Sequence, residues 1–183
     1  MERVRWTQTG LINFLHVRIA QAFPVPGVGQ RLEGCTESEI RAIETRYNLH
    51  LPKTYRHYLH VMGKRSGRLF TSDHLAVFYE NVREMTANLS TRKLARSGGE
   101  ITPPAGFAVP DKAFFIASRL DAQFEFITCD ASDDSPVWYF SEGDWIVRQN
   151  HASVMDWLES WCGYAEEAIA SGYFSRNPIG TVP

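Results

Sequence analysis

Residues 34–63 read GCTESEIRAIETRYNLHLPKTYRHYLHVMG, and the local chemistry of this stretch predicts two short helices joined by a tight link. Thr36 stands where a hydroxyl can accept an N–H from the first helical turn, and Glu39 follows at the spacing that lets its carboxylate reach back, the two halves of a capping box. Ile40, Ile43 and Tyr47 then recur on one face, leaving Glu37, Arg41, Glu44 and Arg46 for water. Asn48 suits a left-handed stop. Leu51-Pro52 opens the second helix, because proline near the first turn lacks only an N–H that has no partner there. Tyr55, Leu59 and Met62 point one way until Gly63 ends it.

Upstream, Leu11, Ile12, Leu15, Ile19 and Phe23 share a helical face. That helix is stopped by Pro24-Val25-Pro26-Gly27, a linker loop. Downstream, residues 63–76 read as irregular, and FYENVREMTANLSTRKLA (78–95) reads as a further helix with Val82, Met85 and Leu89 in register. Ser97-Gly98-Gly99 and Pro103-Pro104 mark a flexible, turn-rich crossing. β-branched and aromatic residues then dominate in AFFIA (113–117), FEFITC (124–129), VWYF (137–140) and WIVRQ (145–149), an antiparallel meander with Glu142-Gly143-Asp144 as a tight turn and Pro136 tolerated at a strand start. Alternation sets Trp138 and Phe140 on one face and Tyr139 on the other. A final helix over 153–170 takes Ser153 as cap and Asp156 in its first turn, with Val154, Leu158, Trp161, Ala165 and Ile169 aligned, and Gly172 closes it. No internal repeat is visible. The order predicts an α+β class: N-terminal helices packed with an antiparallel or mixed β-sheet and a C-terminal helix. Residues 1–33 form a helical extension, 34–172 the domain and 173–183 an irregular tail.

The chain has 183 residues, 44% hydrophobic and 13% aromatic, enough for one continuous core. Charged residues at 22% and short periodic apolar groups argue against disorder. A net charge of −2 gives no global attraction to nucleic acid or to an anionic membrane. The first apolar group is broken by Asn13, His16 and Arg18 before it makes a signal-peptide core, and no window is long and apolar enough to span a bilayer. Cys35, Cys129 and Cys162 are odd in number and widely spaced, which suits reduced thiols and a cytoplasmic location. No cofactor is expected.

Charge is segregated: between Leu120 and Val147 stand Asp121, Glu125, Asp130, Asp133, Asp134, Glu142 and Asp144 with no Lys or Arg. Gathered at the hairpin ends, these acids would steer a basic partner; as scattered turn residues they need no such role. Asp130, Asp133 and Asp134 do not follow an EF-hand spacing, so an acidic turn is favoured over a cation site. His57 and His60 lie three apart on the second helix without a third ligand in view, which favours ordinary surface histidines over a metal pair. Lys53, Arg56, Lys64, Arg65 and Arg68 form a run without an acid, for which a solvated helix and loop outweighs nucleic-acid contact. The rings of Tyr55, Tyr58, Trp138, Tyr139, Trp145, Trp157 and Trp161 are mostly core, with interface anchors among any that are exposed. Gly-x-Ser-x-Gly, P-loop, dinucleotide and His-Glu-x-x-His motifs are all missing, and Gly27-Val28-Gly29 lacks the third glycine and the preceding strand. Cys35 sits beside a helix cap, where a thiol pKa can fall, yet no paired base accompanies it. No catalytic and no metal-ligating residue is assigned.

The block 34–63, together with VWYF at 137–140 and SVMDWLESW at 153–161, resembles the SUKH superfamily, which includes bacterial immunity proteins against polymorphic toxins and a fungal regulator of cell-wall assembly. The likeness covers most of residues 34–165. Met62-Gly63-Lys64-Arg65 stands where the family often has Asn-Gly-Gly, and Arg119-Leu120-Asp121-Ala122 where a Gly-rich turn often precedes a core strand. The resemblance implies structural roles for Gly34, Thr36, Glu39, Leu51, Pro52, Tyr55, Leu59, Trp138 and Trp157. It further implies a protein partner and no enzymatic activity: an immunity protein that binds a toxin, such as a nuclease, stoichiometrically. The segregated acids Asp121, Asp130, Asp133, Asp134, Glu142 and Asp144 are the candidate contact surface, on the ground of their charge alone. The alternative is a scaffold or regulator of the same fold without a toxin partner.

Overall fold

The computed structural model describes residues 32–66, 69–70, 74–90, 94–96, 99–101 and 104–172. The helix expected over Leu11–Phe23, the Pro24–Gly27 linker, the Gly27-Val28-Gly29 run, Arg68 and the tail at 173–183 lie outside the described residues. In chain order the elements are β1 (Leu32–Glu33), α1 (Glu37–Tyr47), α2 (Lys53–Met62), β2 (Arg65–Ser66), β3 (Leu75–Ala76), α3 (Tyr79–Ser90), β4 (Leu94–Arg96), β5 (Gly99–Ile101), β6 (Ala113–Arg119), β7 (Gln123–Thr128), β8 (Val137–Ser141), β9 (Arg148–His151) and α4 (Val154–Ala170). The class is α+β, with β3-β6-β7-β8-β9 as an antiparallel sheet and the pairs β1-β2 and β4-β5 beside it.

The helix punctuation follows the side chains. Thr36 Oγ1 accepts the Glu39 N–H at 3.3 Å while Glu39 Oε2 accepts the Thr36 N–H at 2.8 Å, a complete capping box. Asn48 stops α1 at φ 50°, ψ 52°, left-handed geometry that asparagine tolerates. Pro52 flanks α2 without a side-chain cap. The missing acceptor comes from far along the chain, since the Asp133 carbonyl takes both the Thr54 N–H and its hydroxyl at 3.1 Å. Glycine is required at Gly34, where a Cβ would stand 1.6 Å from the His60 carbonyl oxygen.

Strand alternation gives the sheet two different faces. One carries Phe114, Ile127 and Val137 followed by Ala117, Glu125 and Tyr139. Phe114 meets the rings of Tyr47 and Tyr55 edge-on, and Trp157 of α4 packs on Tyr58 of α2, so this face lies under the helices. The other carries Phe115, Phe124, Phe126, Trp138 and Phe140; Phe107 and Trp145 close over it with ring centroids 4.9 and 6.0 Å from Phe140. Trp157, Tyr55, Tyr58, Phe114, Phe126 and Phe140 are fully buried, and each of the three phenylalanines contributes about 1.5–3 kcal/mol. α3 covers the part of β6 that the two-residue β3 leaves unpaired, where Thr86 Oγ1 accepts the Phe115 N–H at 3.0 Å. A sheet edge is otherwise a row of unpaired backbone groups. Among the described residues no helix is long and apolar enough to cross a membrane.

Several boundaries differ from the periodic pattern. α3 ends at Ser90, and Leu94–Arg96 pairs with Gly99–Ile101 as a hairpin within the stretch expected to be a flexible crossing. The irregular stretch 63–76 contains β2 and β3. Trp145–Val147 is not strand: Trp145 takes φ 55°, its N–H bonds the Ser141 carbonyl, and Asp144 Oδ1 accepts the Ile146 N–H, so the chain turns there and β9 begins only at Arg148. Glu37, Glu44 and Arg46 do not simply face water. Glu37 and Glu44 clamp Arg56 of α2, and both guanidinium nitrogens of Arg46 donate to Glu84 of α3 at 2.6 Å.

Candidate functional site

The six acids singled out in the sequence divide between the two ends of the central sheet. Asp121 sits in the β6–β7 turn, and Glu142 and Asp144 in the β8–β9 turn beside it, where the Glu142 N–H bonds the Ala122 carbonyl at 2.8 Å. Asp130, Asp133 and Asp134 lie in the β7–β8 connection. The length of β7 separates the groups by about 17 Å at 3.3 Å per residue.

Several of these carboxylates do structural work. Asp134 Oδ1 accepts the Ser135 N–H at 2.8 Å and the Val154 N–H at 3.1 Å, closing the N-terminus of α4 together with Ser153, whose Oγ accepts the Asp156 N–H at 3.0 Å. Burial pushes the Asp134 carboxyl above the ordinary aspartate range. Asp133 pairs with Lys53 at 2.7 Å. The β7–β8 connection thus caps two helices at once, α2 through the Asp133 carbonyl and α4 through the Asp134 side chain. Asp144 binds the Ile146 N–H, Arg148 and Ser141, contacts that hold its carboxyl below the usual range. Asp130 accepts from Ser132 within its own turn, which depresses its carboxyl likewise. Asp121 and Asp130 are exposed, one at each end.

The basic run is compensated by acids from other segments. Lys53 meets Asp133, Arg56 meets Glu37 and Glu44, Lys64 meets Glu39, and Arg65 meets Glu33. His60 is similarly engaged, with Nδ1 3.1 Å from the Cys35 carbonyl oxygen and Nε2 3.0 Å from Glu37. Among the described residues no group of three or more His, Cys, Asp or Glu is placed to hold a metal. The Cys35 thiol beside the cap is pushed up to about 12, first by burial and then by the Glu39 carboxylate. Cys129 rises to about 12 for the same first reason.

The structure also assembles a cavity of about 290 Å³ lined by the helix-covered face of the sheet and by Ser160, Trp161 and Tyr164 of α4. Glu125 of β7 forms its polar centre, with a side chain only 16% exposed. Its Oε2 accepts the Trp157 Nε1–H at 2.7 Å and its Oε1 accepts Asn150 Nδ2 at 2.9 Å, while His151 Nε2 stands 4.0 Å away. Trp161, Tyr164 and Tyr139 supply aromatic walls, and Arg119 stands at the rim. In sequence Glu125 counted only as one acid among seven. The usable signal was its setting: a carboxylate between Phe124 and Phe126 on a strand buried on both faces is an expensive placement without a polar partner. Tyr164, Asn150 and Arg119 carried no comparable signal.

The residues of the capping box, the Leu51-Pro52 step and the buried rings interlock as one unit. Leu51, Pro52, Tyr55, Leu59 and Trp157 are buried, Trp138 packs partly buried against the core, and the Cys35 N–H beside Gly34 bonds the Leu59 carbonyl at 2.7 Å. No curated protein matches the chain. A family model described as the SMI1 / KNR4 family (SUKH-1) matches residues 34–160, from Gly34 into α4. That span contains the capping box, both short helices, the whole five-stranded sheet and the Glu125–Trp157 bond, and the chain belongs to the SMI1 / KNR4 family (SUKH-1).

Proposed function

We propose that this chain is a protein-binding module that neutralises a toxin by direct stoichiometric binding, in the manner of an immunity protein. The observation that carries the proposal is family membership across residues 34–160. The organisation of the domain supports it. Helices, sheet and capping loop are locked together by packing and caps, so a face is offered without prior rearrangement, which lowers the cost of association. The exposed Asp121 and Asp130, with Glu142 near the first, put negative charge at both ends of the sheet. Such charge speeds encounter with a basic partner, and a nuclease toxin with a phosphate-binding groove is the partner of that chemistry.

The test is co-expression with candidate toxins, taken first from any toxin gene found beside the one that encodes this chain. Restored growth together with a one-to-one complex on size-exclusion chromatography with light scattering supports the proposal. Failure to protect, with the folded chain retained on other cellular proteins, assigns the domain to scaffolding or regulation instead.

A further inference from the structure

Glu125 is a largely buried carboxylate whose hydrogen bonds come from neutral donors, the Trp157 indole and the Asn150 amide. Among the described residues no lysine or arginine lies within 4 Å of it, and the one group able to carry positive charge at that distance is His151, at 4.0 Å. A carboxylate at this depth is costly without a charged partner, and buried charges in proteins are accordingly paired. The open cavity beside it is walled by Trp161 and by Tyr164, which is 59% exposed, and aromatic faces attract cations. The same surface already shows that contact, since the Arg148 guanidinium lies 5.8 Å from the centre of the Tyr139 ring. Each Glu125 oxygen keeps a lone pair beyond its one neutral bond.

We propose that this cavity receives a single arginine side chain from a protein partner, with Glu125 as counter-charge and Trp161 and Tyr164 stacking on the guanidinium and its stem. Arginine fits better than lysine because its planar fork both stacks and donates to two carboxylate oxygens. Arg119, exposed and a diagonal neighbour of Glu125 on the next strand, at about 7–8 Å between such positions, is a like charge that weakens the site without filling it. The inference rests on the protein-binding function proposed above and names the anchor of that interaction.

The test uses the intact chain with N-acetyl-arginine N-methylamide as probe and the citrulline analogue as its uncharged counterpart. Binding is followed by the Trp157 indole Nε1–H resonance and by calorimetry. The expected result is a saturable shift in the millimolar range with the arginine probe and none with citrulline. Glu125→Gln should weaken binding about tenfold or more. Tyr164→Ala, which leaves the core untouched, should weaken it about threefold, and Arg119→Ala should tighten it about twofold. The proposal is overturned by the lack of a saturable shift or by an equal response to citrulline. It is likewise overturned if Arg119→Ala weakens binding as Glu125→Gln does, because removing a like charge beside the site can only favour a cationic probe held by Glu125. Toxin neutralisation by a chain that ignores the probe sinks this inference alone, whereas probe binding by a chain that fails to protect sinks the immunity function alone.

Discussion

The Trp157 indole of α4 donates its Nε1–H to the Glu125 carboxylate of β7 at 2.7 Å, tying the C-terminal helix to the middle of the sheet. Trp157 is fully buried against Tyr58 and Phe70, so its ring supplies packing and its nitrogen supplies the bond. Trp157→Phe retains most of the packing and strips a charge-assisted hydrogen bond from a largely buried carboxylate. The expected loss is about 2 kcal/mol in urea denaturation. A double-mutant cycle with Glu125→Gln should show that the two changes are not additive.

Gly34 and His60 meet backbone to backbone. A methyl group at Gly34 would stand 1.6 Å from the His60 carbonyl oxygen and 2.4 Å from its carbon, and neither atom belongs to a side chain that could swing aside. Gly34→Ala must therefore displace the last turn of α2 or the segment that carries the Cys35–Leu59 bond. The expected cost is about 3 kcal/mol, read as a lowered denaturation midpoint.

Asp134 separates a capping role from a charge. Asp134→Ala removes the acceptor for the Val154 and Ser135 N–H groups and should cost about 1–2 kcal/mol. Asp134→Asn keeps an acceptor oxygen and should cost less. Because burial raises the carboxyl in the folded protein, the native chain holds that proton more firmly than the unfolded one. The native chain's stability relative to Asp134→Asn should accordingly fall as pH rises above about 3.8 and level off beyond the raised folded value. Thermal melts of the two proteins across that range measure the difference.

Glu39 titrates with the opposite sign. Lys64 first, and then the Thr36 N–H, hold its carboxyl down at about 2 against an ordinary 4.5. The stabilisation this provides is complete above pH 4.5 and is lost as pH falls toward 2. Glu39→Gln should flatten the acid limb of the stability profile over that interval, and Lys64→Met should do so in part by removing the partner.

Local rules made the helices legible because their signals are local. The Thr36–Glu39 box, Asn48 and Ser153 act within one turn, so sequence neighbours decide them. What escaped depends on partners distant in sequence. Asp133 and Asp134 read as members of a charged surface, yet their caps on α2 and α4 arise only when the β7–β8 connection folds over both helix ends. Trp145 fits a strand by composition, but the contacts of Asp144 and the Trp145 stacking on Phe140 favour a turn. The acid-free run from Lys53 to Arg65 found its carboxylates on α1, in β1 and in the β7–β8 connection, none of which spacing alone could supply. The Glu125 cavity needs β7, β9 and α4 together, and only the family resemblance reached as far as a partner.

The account stands most directly on stoichiometry. The toxin's activity is measured while the purified chain is titrated into a fixed amount, well above the dissociation constant. The prediction is a linear fall that breaks to zero at one equivalent, with both proteins recovered intact. Inactivation by a small fraction of an equivalent, which requires turnover, or activity that persists at any excess of folded chain, contradicts it.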